Sequence, residues 1–164
     1  MPAIIKIVSG GQTGVDRAAL DVAVFLEIPH GGFCPRGRRA EDGRIPKIYQ
    51  LRETPERGYS IRTEKNVIHS DGTLILFRQR MSRGTELTRR LAAKHKRPCL
   101  CLDLDDPEIN QLTAYEQFDS WVSKNDVAIL NVAGPRASSS PEVTRMAESF
   151  LVSAIRYLEQ GGVS

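Results

Sequence analysis

Short apolar runs rich in β-branched residues alternate with longer amphipathic runs, and this alternation most constrains the fold. The apolar runs at 4–8, 31–34, 73–77, 99–104 and 127–132 are predicted to be strands. The amphipathic runs at 14–27, 62–70, 84–96, 113–124 and 141–160 are predicted to be helices. This order is typical of parallel strands joined by helical crossovers. We therefore predict an α/β fold: a Rossmann-like, doubly wound, mainly parallel sheet in the order 2-1-3-4-5, with helices on both faces.

Bulk properties limit the organisation and the class of partner. With 164 residues, 40% of them hydrophobic, the chain is predicted to form a single domain over 1–164. A formal net charge of +3 does not favour nucleic-acid binding. We predict a cytoplasmic protein without a membrane segment. The sequence shows no export signal and no long apolar span, and its three cysteines have no paired spacing.

A glycine-rich loop follows the first predicted strand. It reads SGGQTG and consists of Ser9, Gly10, Gly11, Gln12, Thr13 and Gly14. Such a loop at a helix start can present free N–H groups to an anion, although it can also serve only as a tight turn. It has neither the lysine of a Walker loop nor the G-x-G-x-x-G pattern. Arg17, just beyond it, could pair with a ligand or lie on the surface.

Two further loops follow predicted strands and have similar chemistry. Ser82, Arg83, Gly84 and Thr85 open a helix, where they could bind an anion or simply cap the helix. Asn131, Gly134 and Arg136 lie where the last strand ends. Because the carboxyl ends of parallel strands share one edge of a sheet, we expect the three loops to meet there.

The segment 30–59 is rich in glycine, proline and charge and is predicted to be irregular. Its arginines Arg36, Arg38 and Arg39 could hold an oxyanion in two-pronged fashion. Glu41 and Asp42 could instead pair with these arginines in a solvated loop.

Other polar residues are less specific. Arg62, Thr63 and Asn66 could share a helix face that touches a ligand, or lie on a solvated helix start. The thiols of Cys99 and Cys101 share one strand face and are expected in the core, and the three histidines have no metal-ligand spacing. No metal site and no catalytic residue is predicted.

Five ordered motifs carry a resemblance to a known family: SGGQTGVDRAALD, CPRGRRAEDGRIP, Y-x-x-RTEKNV-x-x-SDGTLI, RGTELT and NVAGPR. Over about residues 4–145 the chain resembles the putative molybdenum carrier family, the molybdenum cofactor carrier proteins of a Rossmann-like superfamily. The resemblance implies a cytosolic homodimer or homotetramer that holds molybdenum cofactor (molybdopterin) or molybdate, with molybdoenzymes as recipients. It does not imply catalysis.

The same superfamily contains the lonely-guy phosphoribohydrolases, once described as lysine decarboxylases, with the signature PGGxGTxxE. This chain reads MSRGTELT, so Thr88 stands where the glutamate would be and Glu86 is displaced by two residues. That difference points away from glycosidic hydrolysis, because two residues along a helix change the direction of a side chain.

Two functions follow as hypotheses. The first is non-catalytic binding of the cofactor or molybdate, whose negative charges suit amide nests, helix N-termini and arginines. The second is an enzyme acting on a nucleotide or phosphoribosyl compound, with Glu86 or Asp16 as acid or base. A nucleotide sensor without turnover is a third possibility.

Overall fold

Five parallel strands form the central sheet of the computed structural model, which describes residues 3–161. The strands are β1 (Lys6–Val8), β2 (His30–Gly31), β3 (Phe33–Cys34), β4 (Arg39–Ala40), β5 (Gly43–Arg44), β6 (Arg52–Glu53), β7 (Gly72–Phe77), β8 (Cys99–Asp103) and β9 (Ile129–Ala133). The helices are α1 (Val15–Phe25), α2 (Tyr59–Ile68), α3 (Arg83–Lys94), α4 (Leu112–Lys124) and α5 (Val143–Glu159), with a 3₁₀ turn at Ala137–Ser139. The predicted α/β class and all five predicted helices are confirmed.

The strand order of the central sheet is β2-β1-β9-β7-β8, and all neighbouring pairs are parallel. The prediction 2-1-3-4-5 is right in class and in its first two strands, but it needs one correction. The last predicted strand, which becomes β9, lies between β1 and β7 instead of at the edge.

Hydrogen bonds between distant parts of the chain hold β9 in this position. The Asp71 carboxylate, just before β7, accepts hydrogen bonds from the N–H groups of Ala128 (3.1 Å) and Ile129 (2.7 Å). These bonds fix the start of β9 beside β7. Leu130, Asn131 and Val132 are then buried, as befits a central strand, whereas most of the edge strand β8 is only half-buried.

The two faces of the sheet differ in chemistry. Helices α1, α4 and α5 cover one face over the main apolar core, which includes Leu74, Leu130 and Phe150. Helices α2 and α3 lie on the other face, where the buried Asn131 donates a hydrogen bond to Thr73 (3.1 Å). No helix within residues 3–161 has both the length and the hydropathy needed to cross a membrane.

The segment 30–59 is more ordered than the sequence predicts. The predicted strand 31–34 divides: β2 joins the central sheet, while β3 pairs with β6 in a separate two-stranded sheet. The division falls at Gly32, where a Cβ would lie 2.2 Å from the Ser9 carbonyl oxygen. Strands β4 and β5 form an antiparallel hairpin whose turn contains Glu41 and Asp42.

Candidate functional site

A cavity of about 320 Å³ opens where β1, β9 and β7 end. All three predicted loops reach it. The predicted site residues that line it are Gly10, Gln12, Ser82, Arg83, Gly84, Thr85, Asn131, Gly134 and Arg136. The first two turns of α2 complete the wall with Tyr59, Ser60, Arg62, Thr63 and Asn66.

The remaining predicted site residues lie outside the lining of this cavity. They are Ser9, Gly11, Thr13, Gly14, Arg17, Arg36, Arg38 and Arg39. Several of them hold the surrounding loops instead. The Arg17 guanidinium binds the Asp42 carboxylate at 3.0 Å and the Gly11 carbonyl oxygen at 3.0 Å, so the expected pairing of Asp42 within the arginine segment is replaced by one with α1.

Arg38 is a structural residue of the segment 30–59. Its buried guanidinium donates hydrogen bonds to the carbonyl oxygens of Ile45 (3.0 Å), Pro46 (2.8 Å) and Tyr49 (2.7 Å). A side chain that closes a loop in this way is not available to an anion in the cavity. Arg36 is exposed, and Arg39 lies at the rim of the cavity.

Glu41 joins the hairpin to the loops around the cavity. Its carboxylate accepts hydrogen bonds from the Thr13 hydroxyl and from the hydroxyl and N–H of Ser138, while its own N–H donates to Gln12 Oε1 (2.8 Å). The hydroxyls of Ser138 and Thr13 and the charge of Arg136 lower the pKa of Glu41 below its usual value. The arginine segment is thus held against both the first and the last loop.

The glycines of the first loop make room for particular neighbours. A Cβ on Gly10 would lie 1.4 Å from Arg62 Nη1, so only glycine lets that guanidinium cross the loop. Gly14 has φ 85°, and a Cβ there would lie 2.3 Å from the Pro135 carbonyl oxygen. The glycines therefore serve close packing, in addition to any role in binding.

Asp16 and Arg62 form a buried ion pair in the wall of the cavity. Arg62 Nη1 lies 2.9 Å from Asp16 Oδ2, and the Gln12 N–H also donates to this oxygen (3.3 Å). Burial raises the pKa of Asp16, against the opposing effect of the Arg62 charge and hydrogen bond. The pair ties α1 to α2 directly behind the cavity.

Among the residues that the structure describes, Arg62 Nε, a buried donor beside this pair, has no hydrogen-bond partner, and Gln12 Nε2 has only the Tyr59 hydroxyl near enough to act as an acceptor. Both residues line the cavity. Gln12 is 5% exposed and Arg62 9% exposed, so solvent reaches them poorly. Buried donors of this kind are rare, and a ligand would reach them only if the surrounding side chains moved, because the atoms themselves are inaccessible to solvent.

Three guanidinium groups surround the ring of Tyr59. The guanidinium carbons of Arg39, Arg62 and Arg136 lie 5.0, 5.4 and 5.5 Å from its centroid. Burial would raise the pKa of the Tyr59 hydroxyl, but hydrogen bonding from Arg39 and Gln12 and the charges of Arg39 and Arg136 outweigh it, so that pKa is lowered. The hydroxyl thus lies in a strongly positive environment.

The N-terminus of α3 faces the cavity from the opposite side. Ser82 caps the helix by accepting from the Thr85 N–H at 3.3 Å, so the predicted cap is present. The first N–H groups of a helix lack partners within the helix, and Arg83 and Gly84, the first two residues of α3, line the cavity. Glu86 instead binds Arg89 (2.8 Å) and does not line the cavity, whereas Thr88 does.

The charges of the lining favour an anion. Three arginines, Arg62, Arg83 and Arg136, stand against one carboxylate, that of Asp16, which Arg62 already neutralises. Within residues 3–161 no three histidine, cysteine, aspartate or glutamate side chains cluster as metal ligands would. The site is therefore suited to an anion held by donors, including an anion that brings its own metal ion.

Tyr59 and Ser139 line the cavity but are not among the residues that the sequence predicts for the site. Tyr59, Arg62, Thr63 and Asn66 follow one another at intervals that place them on one side of a helix, which is the signal that could have found Tyr59.

Comparison with known proteins places this site in context. A search of curated proteins gave no match. The chain is similar to a crystal structure, at 1.45 Å resolution, of a putative molybdenum carrier protein from Syntrophus aciditrophicus SB. The two are 49% identical with a TM-score of 0.88, and the match covers 92% of this chain and 94% of the other.

The strand order of the central sheet becomes a standard one when the strands are counted from a different starting strand. If counting begins at β9 and continues through β1, β2, β7 and β8, the sheet reads 3-2-1-4-5, which is a standard doubly wound order. The cavity then lies beside the switch point between β9 and β7, where such sheets bind ligands. Residues 7–155 match the model of a family described by this same rearrangement of the chain, and the protein belongs to it: the circularly permutated YpsA SLOG family.

Proposed function

We propose that the cavity binds and carries the molybdenum cofactor, molybdopterin with its molybdenum, or else molybdate, without chemical turnover. One observation carries the proposal: the cavity lining holds three arginines, Arg62, Arg83 and Arg136, against one carboxylate, that of Asp16, which Arg62 already pairs. A phosphate or oxo-metal group offers the negative charge and the acceptor atoms that this lining lacks. The similarity to a protein described as a molybdenum carrier supports the choice of cargo.

The distribution of donors supports a ligand with more than one anionic part. Arg83 and the helix N-terminus lie on the α3 side, while Gln12 and Arg62 lie on the side of the first loop. A compact anion could contact one set well. A pterin that carries both a phosphate and an oxo-metal group could contact both sets at once.

The size of the cavity favours the intact cofactor over molybdate. A four-oxygen anion occupies roughly 120 Å³ if each oxygen takes about the volume of a water molecule, near 30 Å³. The cavity measures about 320 Å³, which is within the range of sites for small organic ligands. Molybdate alone would leave most of it to water.

The binding test compares arginines inside and outside the cavity. Purified molybdenum cofactor, and separately sodium molybdate, would be titrated into the wild type, Arg83→Ala, Arg136→Ala and the control Arg36→Ala. Each cavity arginine should contribute about 1.5–3 kcal/mol, so its loss should weaken cofactor binding roughly 10- to 100-fold. Arg36 is exposed and outside the lining, so its loss should change little. Equal affinities for all four proteins would refute the assignment.

The cargo itself is tested on protein purified from its own or a related host. Metal content by mass spectrometry and the fluorescence of released, oxidised pterin are measured on the same sample. Molybdenum with pterin supports the cofactor, and molybdenum without pterin supports oxyanion storage. If neither is bound even after incubation with both, the carrier proposal fails.

The enzymatic alternative depends on Asp16 alone. Glu86 does not line the cavity and is paired with Arg89, so it is not placed to serve as acid or base there. Asp16 lines the cavity and has a raised pKa, which suits a general acid, but Arg62 and the Gln12 N–H occupy one of its oxygens. Release of free base from nucleoside monophosphates, abolished by Asp16→Asn, would favour this alternative.

As a carrier, the protein would work in the cytoplasm and deliver its cargo to molybdoenzymes, and it would assemble as a homodimer or homotetramer. The resemblance of its motifs to the molybdenum carrier family supports these expectations. Light scattering on the purified protein tests the assembly. Activation of a cofactor-free molybdoenzyme by the loaded protein tests delivery.

A further inference from the structure

A pair of thiols lies on the edge strand β8, apart from the anion cavity. The Sγ atoms of Cys99 and Cys101 are 4.0 Å apart, and both cysteines are free. Leu102 follows Cys101 in β8 and packs into the apolar core. Because successive residues of a strand point to opposite faces, the side chains of Cys99 and Cys101 point to the face on which α3 lies. Both side chains are half-buried instead of lying in the core as predicted, and are therefore accessible from solvent.

We propose that Cys99 and Cys101 form a two-thiolate binding site for a soft monovalent metal ion, of which Cu(I) is the model. Thiolate sulfur selects soft ions of this class. Two sulfurs bound to one metal ion at about 2.3 Å lie about 3.8 Å apart at a tetrahedral angle and about 4.6 Å apart in a linear arrangement. The observed 4.0 Å falls between these limits without any movement of the backbone.

The same geometry disfavours a disulfide. Residues two apart in a strand have Cα atoms roughly 6.7 Å apart, which is at the upper limit for a disulfide-bonded pair. The sulfurs would also have to close from 4.0 Å to about 2 Å. A bridging metal ion fits the observed sulfur separation, whereas a disulfide requires the two sulfurs to approach by about 2 Å.

The surrounding charge favours a monovalent ion over a divalent one. Two thiolates and Cu(I) have a net charge of −1, and the Arg89 guanidinium, which also pairs with Glu86, acts electrostatically on both sulfurs. Arg89 can thus attract this anionic complex, whereas two thiolates with a dication form a neutral complex that it attracts less. Zinc also prefers four ligands, and no third ligand group joins the two cysteines within residues 3–161.

The proton balance is simple. Binding of one Cu(I) ion displaces one proton from each thiol, two in all, and no electron is transferred. The two sulfurs already lie 4.0 Å apart, so the metal ion takes the place of the contact between the thiols.

The experiment titrates the full chain with Cu(I) under anaerobic conditions against a coloured Cu(I) chelator. The wild type and the control Cys34→Ser should each withdraw one Cu(I) ion per chain, because Cys34 is buried in a separate apolar cluster. Cys99→Ser and Cys101→Ser should lose stoichiometric uptake, and Arg89→Ala should bind about 10-fold more weakly. Circular dichroism confirms that each variant is folded.

Three results would overturn the proposal. The first is uptake by the wild type no greater than by a Cys99→Ser, Cys101→Ser double variant. The second is displacement of Cu(I) from the pair by an equal concentration of Zn(II). The third is one Cu(I) ion per two chains with a doubled mass in light scattering, which would mean that the thiols of separate chains share the metal ion.

Discussion

Replacement of Gly10 by alanine should test the architecture of the cavity more directly than any change to a charged residue. The new methyl group would lie 1.4 Å from Arg62 Nη1 and 2.5 Å from Arg62 Cζ, so the guanidinium must leave its position. Its ion pair with Asp16, now 2.9 Å long, would be broken. A carboxylate would then be buried without its partner.

The expected loss follows from the burial of that pair. Breaking a buried ion pair by removing one partner costs about 3–5 kcal/mol. Protonation of Asp16, whose pKa burial already raises, limits the loss, so we expect about 3 kcal/mol at pH 7. For a chain of this length that corresponds to a fall in Tm of roughly 6–12 °C.

The pH dependence gives the reasoning a second check. Without Arg62 the folded-state pKa of Asp16 rises further, so the folded state binds this proton more tightly than the unfolded state does. The penalty is then small near the ordinary carboxyl pKa of 3.8 and grows as the pH rises towards the folded-state value. Gly10→Ala should therefore lie closer to the wild type in stability at acidic pH than at pH 7.

The assay is urea unfolding at both pH values, with Gly84→Ala as the matched control. Gly84 also lines the cavity, but a Cβ there meets no atom within 4 Å, and the residue lies in the first turn of α3. This control should be neutral or more stable by up to about 1 kcal/mol. If Gly10→Ala is as stable as Gly84→Ala, the close crossing of Arg62 over the first loop is refuted.

Three other changes separate structural roles from binding roles. Arg38→Lys should lower the free energy of unfolding by about 3 kcal/mol in urea titrations, because a single ammonium cannot reach the carbonyl oxygens that the guanidinium binds; an unchanged midpoint would contradict this. Glu41→Ala should speed tryptic cleavage within 30–59. In the wild type, the stabilising contribution of the Glu41 carboxylate should be present above pH 4.5 and disappear as the pH falls through its lowered pKa. Equal cleavage rates in the two proteins would show that the contacts of Glu41 do not hold the segment. Glu86→Gln should leave cofactor affinity unchanged, since the side chain lies outside the cavity, and a loss of affinity in the same titration would place it inside.

The sequence predicted the helices, which depend on local pattern. It did not predict the position of β9 in the sheet, which depends on which strands pair. Helical periodicity is a property of one segment, and all five helices were found within a few residues of their bounds. The neighbours of β9 depend on contacts across the chain, such as the hydrogen bonds of Asp71 to Ala128 and Ile129, and no local pattern contains them.

The same limit applies to the arginines of the candidate site. Arg36 and Arg38 are the same residue type two positions apart, yet one is exposed and the other is enclosed by carbonyl oxygens. Only the path of residues 45–51 around Arg38 distinguishes them. Likewise, the sequence placed Arg62 on a helix face but could not show that a missing side chain at Gly10 makes room for it.

The central position of β9 also determines when the sheet can form during synthesis. β1 and β2 leave the ribosome early and β7 and β8 later, but β1 and β7 have no strand between them until residues 129–133 follow. The pair β2–β1 and the pair β7–β8 therefore each keep an unpaired edge until β9, in the last quarter of the chain, has been synthesised. A nascent chain stalled before that point should therefore expose two unpaired strand edges, which chaperones or other chains could bind.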